Sequence, residues 1–174
     1  MEDQNRVNTI PDNIFYNNVD YFKNIQSKHT NETVFASWNW PAFFFGPVWF
    51  IYRRCYLGAL AVYFFQYFVS LILSSVTYAM EEIWMVLLVS TIISLIPAVL
   101  IGIFGNSFYF YFMRNKIEKL LHSGVEIPLI AEKCRPSWTP VWIYYAIVFG
   151  WTILLIIFIF ICIFAVGMLG AMFA

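Results

Sequence analysis

The chain has 174 residues, enough for one ordinary domain, yet 61% are hydrophobic, 21% aromatic and only 11% charged. Soluble proteins carry roughly 25% charged residues, so this composition excludes a water-soluble domain and suits a chain whose solvent is lipid. Ten basic and ten acidic residues cancel, which leaves no excess of positive charge for nucleic acid.

Residues 1–36 are polar and read as a cytoplasmic N-terminal segment. The start, MEDQNRVNTIPDN, is too polar and acidic for a signal peptide, so insertion is expected to rely on internal spans. Disorder is expected over the first dozen residues. Ile14–Ser27 has enough aromatic residues for a short helix lying near a membrane surface.

Residues 37–56 form the most distinctive stretch, SWNWPAFFFGPVWFIYRRCY. The uncharged run over 33–52 is about long enough to cross a bilayer, but Pro41 and Gly46-Pro47 divide it into pieces too short to span. An aromatic interfacial or re-entrant segment is expected instead. Trp38, Trp40, Trp49 and Tyr52 would sit at headgroup depth, and Arg53 and Arg54 would face lipid phosphates.

Residues 57–174 read as a helical membrane domain with spans at about 57–79, 83–105 and 142–167 and a cytoplasmic loop at 106–141. Gln66 lies near the middle of the first span, and Ser70 and Ser74 give it one small face. Pro97 should kink the second, which Gly102 and Gly105 loosen further. Beyond it, residues 106–123 continue as a helix leaving the membrane, with Gly124 as its C-cap. The loop carries Pro128, Pro136 and Pro140 and is expected to pack on the cytoplasmic face. The third span ends in small pairs, Gly167/Ala171 and Gly170/Ala174, a pattern compatible with helix association.

Charge sets the orientation. Leu57–Met80, Ile83–Met113 and Ser137–Ala174 lack lysine and arginine, while all ten basic residues fall before the first run or between the second and third. Three spans with the N-terminus inside place every one of them on the cytoplasmic side, as the positive-inside rule asks. The fold class is therefore all-α: a polytopic membrane protein with three transmembrane helices plus the aromatic segment.

The run NWPAFFFGPVWFIYRRCY, preceded by YFKNIQ and followed by IGIFGNSFYFYFMRNKIEK, resembles a bacterial family of small membrane proteins, the domain-of-unknown-function family 2628. Asn39, Trp40, Ala42, Phe43, Phe44, Gly46, Pro47, Trp49, Tyr52, Arg53 and Tyr56 match its first motif; Gly102, Asn106, Tyr109 and Lys116 match its second. The resemblance frames residues 21–120 and implies a bacterial inner-membrane location. It implies no activity, because the family has none assigned.

No residue constellation points to catalysis, and no cofactor is expected. His29 and His122 have no carboxylate or cysteine at ligand spacing, so no metal site is expected. Cys55, Cys134 and Cys162 have neither metal-type nor redox-type spacing. No Asp, Glu, Lys, Arg or His lies inside a predicted span, which argues against a proton or ion relay. Asn39 is expected to cap the helix starting near Pro41, and Asn106 to bond neighbouring backbone; the sharper alternative has both lining a polar site between spans. Arg53, Arg54, Arg114, Lys116 and Lys119 are accounted for as a plain topology signal; the sharper alternative is a cytoplasmic basic rim for anionic headgroups or a phosphorylated ligand.

The reading that follows is a non-enzymatic scaffold, assembly or regulatory subunit, with a membrane-protein partner or a second copy as its binding counterpart. The alternative is a small oligomeric transport or channel component in which Gln66, Asn106 and the Pro97 kink line a path.

Overall fold

The computed structural model describes residues 10–16, 18–29, 32–78 and 80–172. Among them every regular element is helical: α1 (Asp12–Phe15), α2 (Val19–Lys28), α3 (Trp40–Phe45), α4 (Pro47–Tyr52), α5 (Tyr56–Thr77), α6 (Ile83–His122), α7 (Ile127–Cys134) and α8 (Thr139–Met172). Three of these, α5, α6 and α8, are long and apolar enough to cross a membrane. The chain falls into two compact units, one reaching Ser137 and the other beginning at Trp138.

The local chemistry explains the elements. Asn39 caps α3 by accepting a hydrogen bond from the Ala42 N–H at 2.9 Å, with Pro41 in the first turn. Gly46 ends α3 at φ +48°, a region in which a side chain would be strained, and Pro47 then opens α4. Two six-residue helices result, each about 9 Å long, so residues 33–52 form no helix able to cross.

Helix α4 closes on a Schellman motif. The Arg54 N–H donates to the Ile51 carbonyl at 3.0 Å and the Cys55 N–H to the Phe50 carbonyl at 2.9 Å. The left-handed residue in this motif is Arg54, at φ +58°, where glycine is usual. The same pair of bonds closes α6, from Gly124 to Leu121 (2.9 Å) and from Val125 to Leu120 (3.1 Å), with Gly124 at φ +74°. Gly124 is the expected cap.

Helix α6 runs unbroken for 40 residues, about 60 Å, with Pro97 inside it. It carries the predicted second span and its predicted extension as one element. Its half nearer His122 is the backbone of the first unit: α3 packs on it, α4 and α6 flank α5, and α1 lies against α7. The core there is aromatic, built from Phe15, Phe22, Trp49, Phe50, Tyr109 and Phe110.

Several expectations are corrected. Residues 1–36 do not stand apart as a polar segment: Ile10, Ile14, Phe15, Phe22 and Ile25 are all buried in the core of the first unit. Of the first dozen residues, for which disorder is expected, Ile10 is packed, and residues 1–9 lie outside the described residues. Within the stretch 106–141 the expected helical continuation runs to His122, and a second helix, α7, which was not expected, follows and buries Ile130 and Cys134. Its exit is pinned where the Ser137 N–H donates to the Tyr52 carbonyl at 3.0 Å. The division between the compact units falls at Ser137, inside the stretch 57–174.

The second unit is α8, whose 34 residues are apolar on every face. The small pairs at its end, Gly167/Ala171 and Gly170/Ala174, lie outside the described side chains.

Candidate functional site

The aromatic stretch is fastened to α6 by backbone and side chain together. An extended lead-in, residues 35–39, lies along the helix: the Ser37 N–H donates to the Ile103 carbonyl at 2.9 Å and the Asn39 N–H to the Gly102 carbonyl at 2.8 Å. The Phe35 N–H donates to the Ser107 hydroxyl at 3.3 Å. So close an approach needs glycine. A Cβ on Gly105 would stand 2.8 Å from the Ala42 Cβ, and one on Gly102 3.1 Å from the Phe43 Cβ.

Four polar groups close a network beneath α3. The Asn39 Nδ2 donates to the Asn106 Oδ1 at 2.7 Å. The Asn106 Nδ2 donates to the Tyr21 hydroxyl at 2.8 Å and the Ser37 hydroxyl at 3.0 Å, and the Tyr21 hydroxyl donates onward to the Trp38 carbonyl at 2.9 Å. Asn39 and Asn106 are both buried. Buried amides are costly unless bonded, and here both oxygens and both NH₂ groups are used. The structural reading of the two asparagines extends to a direct bond between them across 67 positions of sequence.

Arg53 anchors a second cluster, and its predicted place at the headgroups is corrected. It is 4% exposed, and its Nη1 donates to the Phe15 carbonyl at 3.0 Å. Its guanidinium lies 4.5 Å from the Phe22 ring centre and 5.9 Å from those of Trp49 and Tyr109. No carboxylate pairs with it among the described residues. Burial holds its pKa below the ordinary value, opposed by the neighbouring Tyr109. A planar, weakly hydrated cation stacked on rings explains how a charge survives there. Trp49 is likewise core and not a headgroup anchor, at 6% exposure.

A third cluster surrounds Lys116, whose ammonium donates to the Arg54 carbonyl at 2.9 Å and stands 5.8 Å from the Tyr56 ring centre. That bond holds the strained Arg54 turn against α6. Cys55 and Cys134 are buried near it, and burial raises both thiols, Cys55 to about 11. Neither cysteine is in a disulfide.

The predicted residues thus divide. Asn39, Gly46, Pro47, Trp49, Arg53, Gly102, Asn106 and Tyr109 come together as the interior fastening of the stretch. Trp40 and Phe44 do not join it: they are 59% and 69% exposed, stack on each other and meet Phe43 edge-on. Tyr52 supplies the carbonyl that Ser137 uses, and Arg114 lies over the Phe110 ring. Sequence reasoning missed Tyr21, Phe22 and Ser37 as members of the site. The available signal was YFKNIQ, which precedes the motif within the same resemblance.

The profile of the family described as Protein of unknown function (DUF2628) matches residues 5–114. The chain belongs to the DUF2628 family. The DUF2628 match starts earlier than residue 21, and so takes in α1 and α2, which the structure buries in the same core. It ends at Arg114, leaving α7 and α8 outside. No curated protein and no solved structure matches the chain. Among the described residues no group of three or more histidine, cysteine or acidic side chains could hold a metal.

Proposed function

We propose that this DUF2628 protein is a non-enzymatic multi-pass membrane protein that works by contact, as an assembly or regulatory subunit, with the exposed side of α3 as its working surface. One observation carries the reading. The aromatic motif commits Asn39, Ala42, Gly46 and Trp49 to a rigid fastening and turns Trp40, Phe44 and the neighbouring Phe45 outward. An outward aromatic ledge on a fixed base is how interface anchors are built, because a rigid ring loses little entropy on contact. The proposed setting is a bacterial inner membrane with the N-terminus cytoplasmic, which gathers the basic residues on one side. Counting about 20 residues from Ile83 for the bilayer core brings α6 to Gly102, so α3 would lie at the inner interface.

The transport reading gains no support, since the Asn106 amide is fully engaged and Gln66 lies beside Gly46 at the far end of α3. Capture from intact cells tests the proposal. Trp40→Ala and Phe44→Ala should each lose a membrane-protein partner crosslinked from position 44 or 40, while the amount inserted stays unchanged. Gly46→Leu is a poorer probe, because a side chain at φ +48° beside Gln66 disturbs the α3–α4 turn itself. Unaltered capture by both ring deletions, or loss that only follows degradation, would end the contact reading.

A further inference from the structure

The family match ends at Arg114, yet the chain beyond it returns to grip the N-terminal helices. Helix α7 lies against α1 and buries Ile130 in the shared core. At its C-terminal end the Arg135 guanidinium stands 4.1 Å from the Tyr16 ring centre and donates to the Tyr16 hydroxyl. Tyr16 needs such a hold. It sits at φ +52°, a range that glycine adopts freely and tyrosine rarely. Asn18 follows at φ +62°, where asparagine is tolerated. The joint between α1 and α2 is therefore strained at Tyr16 and kept closed by its neighbours, Arg135 on the Tyr16 ring and Arg53 on the Phe15 carbonyl.

Helix α2 carries that hold to the aromatic ledge. The Tyr21 hydroxyl accepts from the Asn106 Nδ2 and donates to the Trp38 carbonyl. Trp38 leads directly into the Asn39 cap of α3, and its ring meets Trp40 edge-on at 5.1 Å and Phe43 at 5.4 Å. The Trp38 peptide thus sets the direction in which α3 starts and the place where Trp40 stands. From Arg135 to Trp40 the contacts are continuous, as coupling between distant residues requires.

We infer that the chain beyond the family match controls the ledge: α7 holds α1 and α2 down as a strap, and Tyr21 is the positioning residue through which the strap orients α3. With the clasp on Tyr16 closed, Trp40 and Phe44 stand on a fixed base. With it open, the joint relaxes, Tyr21 leaves Trp38 and the ledge loses that base. The value of such control rests on the contact proposal, whereas the coupling between strap and ledge does not.

Hydrogen exchange of the full chain in nanodiscs reads the coupling without any partner. Arg135→Gln removes an exposed clasp. It should speed exchange of the Ser37, Asn39 and Ala42 amides about two- to five-fold, the ratio expected for an exposed cation–π contact. Exchange in α1 and α2 should rise with them, and α5 should not change. Tyr21→Phe keeps the ring edge-on to Phe22 and removes only the hydroxyl; it should speed the same three amides and leave α1 protected. A rise in α1 and α2 that spares residues 37–42 after Arg135→Gln overturns the coupling. So does a rise shared by α5, which is general loosening, and so does an unchanged α1, which shows that the clasp holds nothing. Crosslinking from position 44 separates the two proposals. Capture lowered by Arg135→Gln supports control, and capture unaltered by it overturns control. Absence of capture by the unaltered chain ends the contact reading, while the exchange rates still decide the strap.

Discussion

The two ends of α5 and α6 are built on different physics. Toward Tyr56 and His122 the helices bury Gly58, Ala59, Val62, Asn106, Tyr109 and Met113 against six shorter or extended segments. Toward Thr77 and Ile83 they bury almost nothing, and Phe68, Leu71, Leu87, Leu88 and Ile92 are all exposed. Polar side chains obey the same division. Asn106 reaches Asn39, Tyr21 and Ser37, far away in sequence, whereas Ser70, Ser74 and Thr91 only bond carbonyls of their own helix three or four residues back. One end is specified by partners and the other only by length and apolarity.

The sharpest way to break this comparison is to delete one polar group at each end. Asn106→Ala strands the Asn39 amide and opens a void under α3, so it should cost about 2–4 kcal/mol of stability. Ser74→Ala removes a hydroxyl that serves only its own helix and should change stability by less than about 0.5 kcal/mol. Thermal unfolding of both in one mild detergent checks the pair. Equal losses would mean that the two ends are not distinct.

That difference also decides what could be read from sequence. Length and hydropathy gave the three long helices, while cap chemistry gave Asn39, the break at Gly46-Pro47 and the stop at Gly124, because each of these is local. What escaped was the direction in which apolar and aromatic side chains point. In water, hydrophobicity sorts the core from the surface. In lipid both are apolar, so Trp49 in the core and Trp40 outside look alike in the sequence. Arg53 misled for the same reason: a basic residue beside a span ordinarily marks orientation, and only the rings of Phe22 and Trp49 disclose that this one is packed inside. The sparse apolar residues of 10–25 were hidden among asparagines, although Ile10, Ile14, Phe22 and Ile25 all turn inward.

Arg53→Lys sharpens the account of the packed end. The charge is kept, but an ammonium cannot lie flat on a ring or hold the Phe15 carbonyl with the same geometry. A loss of about 1–2 kcal/mol is expected, from weakened stacking in a desolvated site, with greater protease access to α1 and α2. A lysine variant indistinguishable from the unaltered chain in both measurements would show that the rings play no part and charge alone suffices.

The smallest expected effect lies at Cys55, 3% exposed beside the Arg54 turn. Burial pushes its thiol from the ordinary 9.0 up to about 11, against the opposing bond from the Gly58 backbone and the charge of Lys116. The folded chain therefore holds this proton more tightly than the unfolded one. The contribution to stability is complete below pH 9 and disappears as pH rises toward 11. With Cys134 and Cys162 replaced by alanine, alkylation by iodoacetamide at pH 9 should be slow in the folded protein and fast once it is unfolded, since only the thiolate reacts. Similar rates in both states would place Cys55 in contact with solvent, and the packed end of α5 would then begin later than Tyr56.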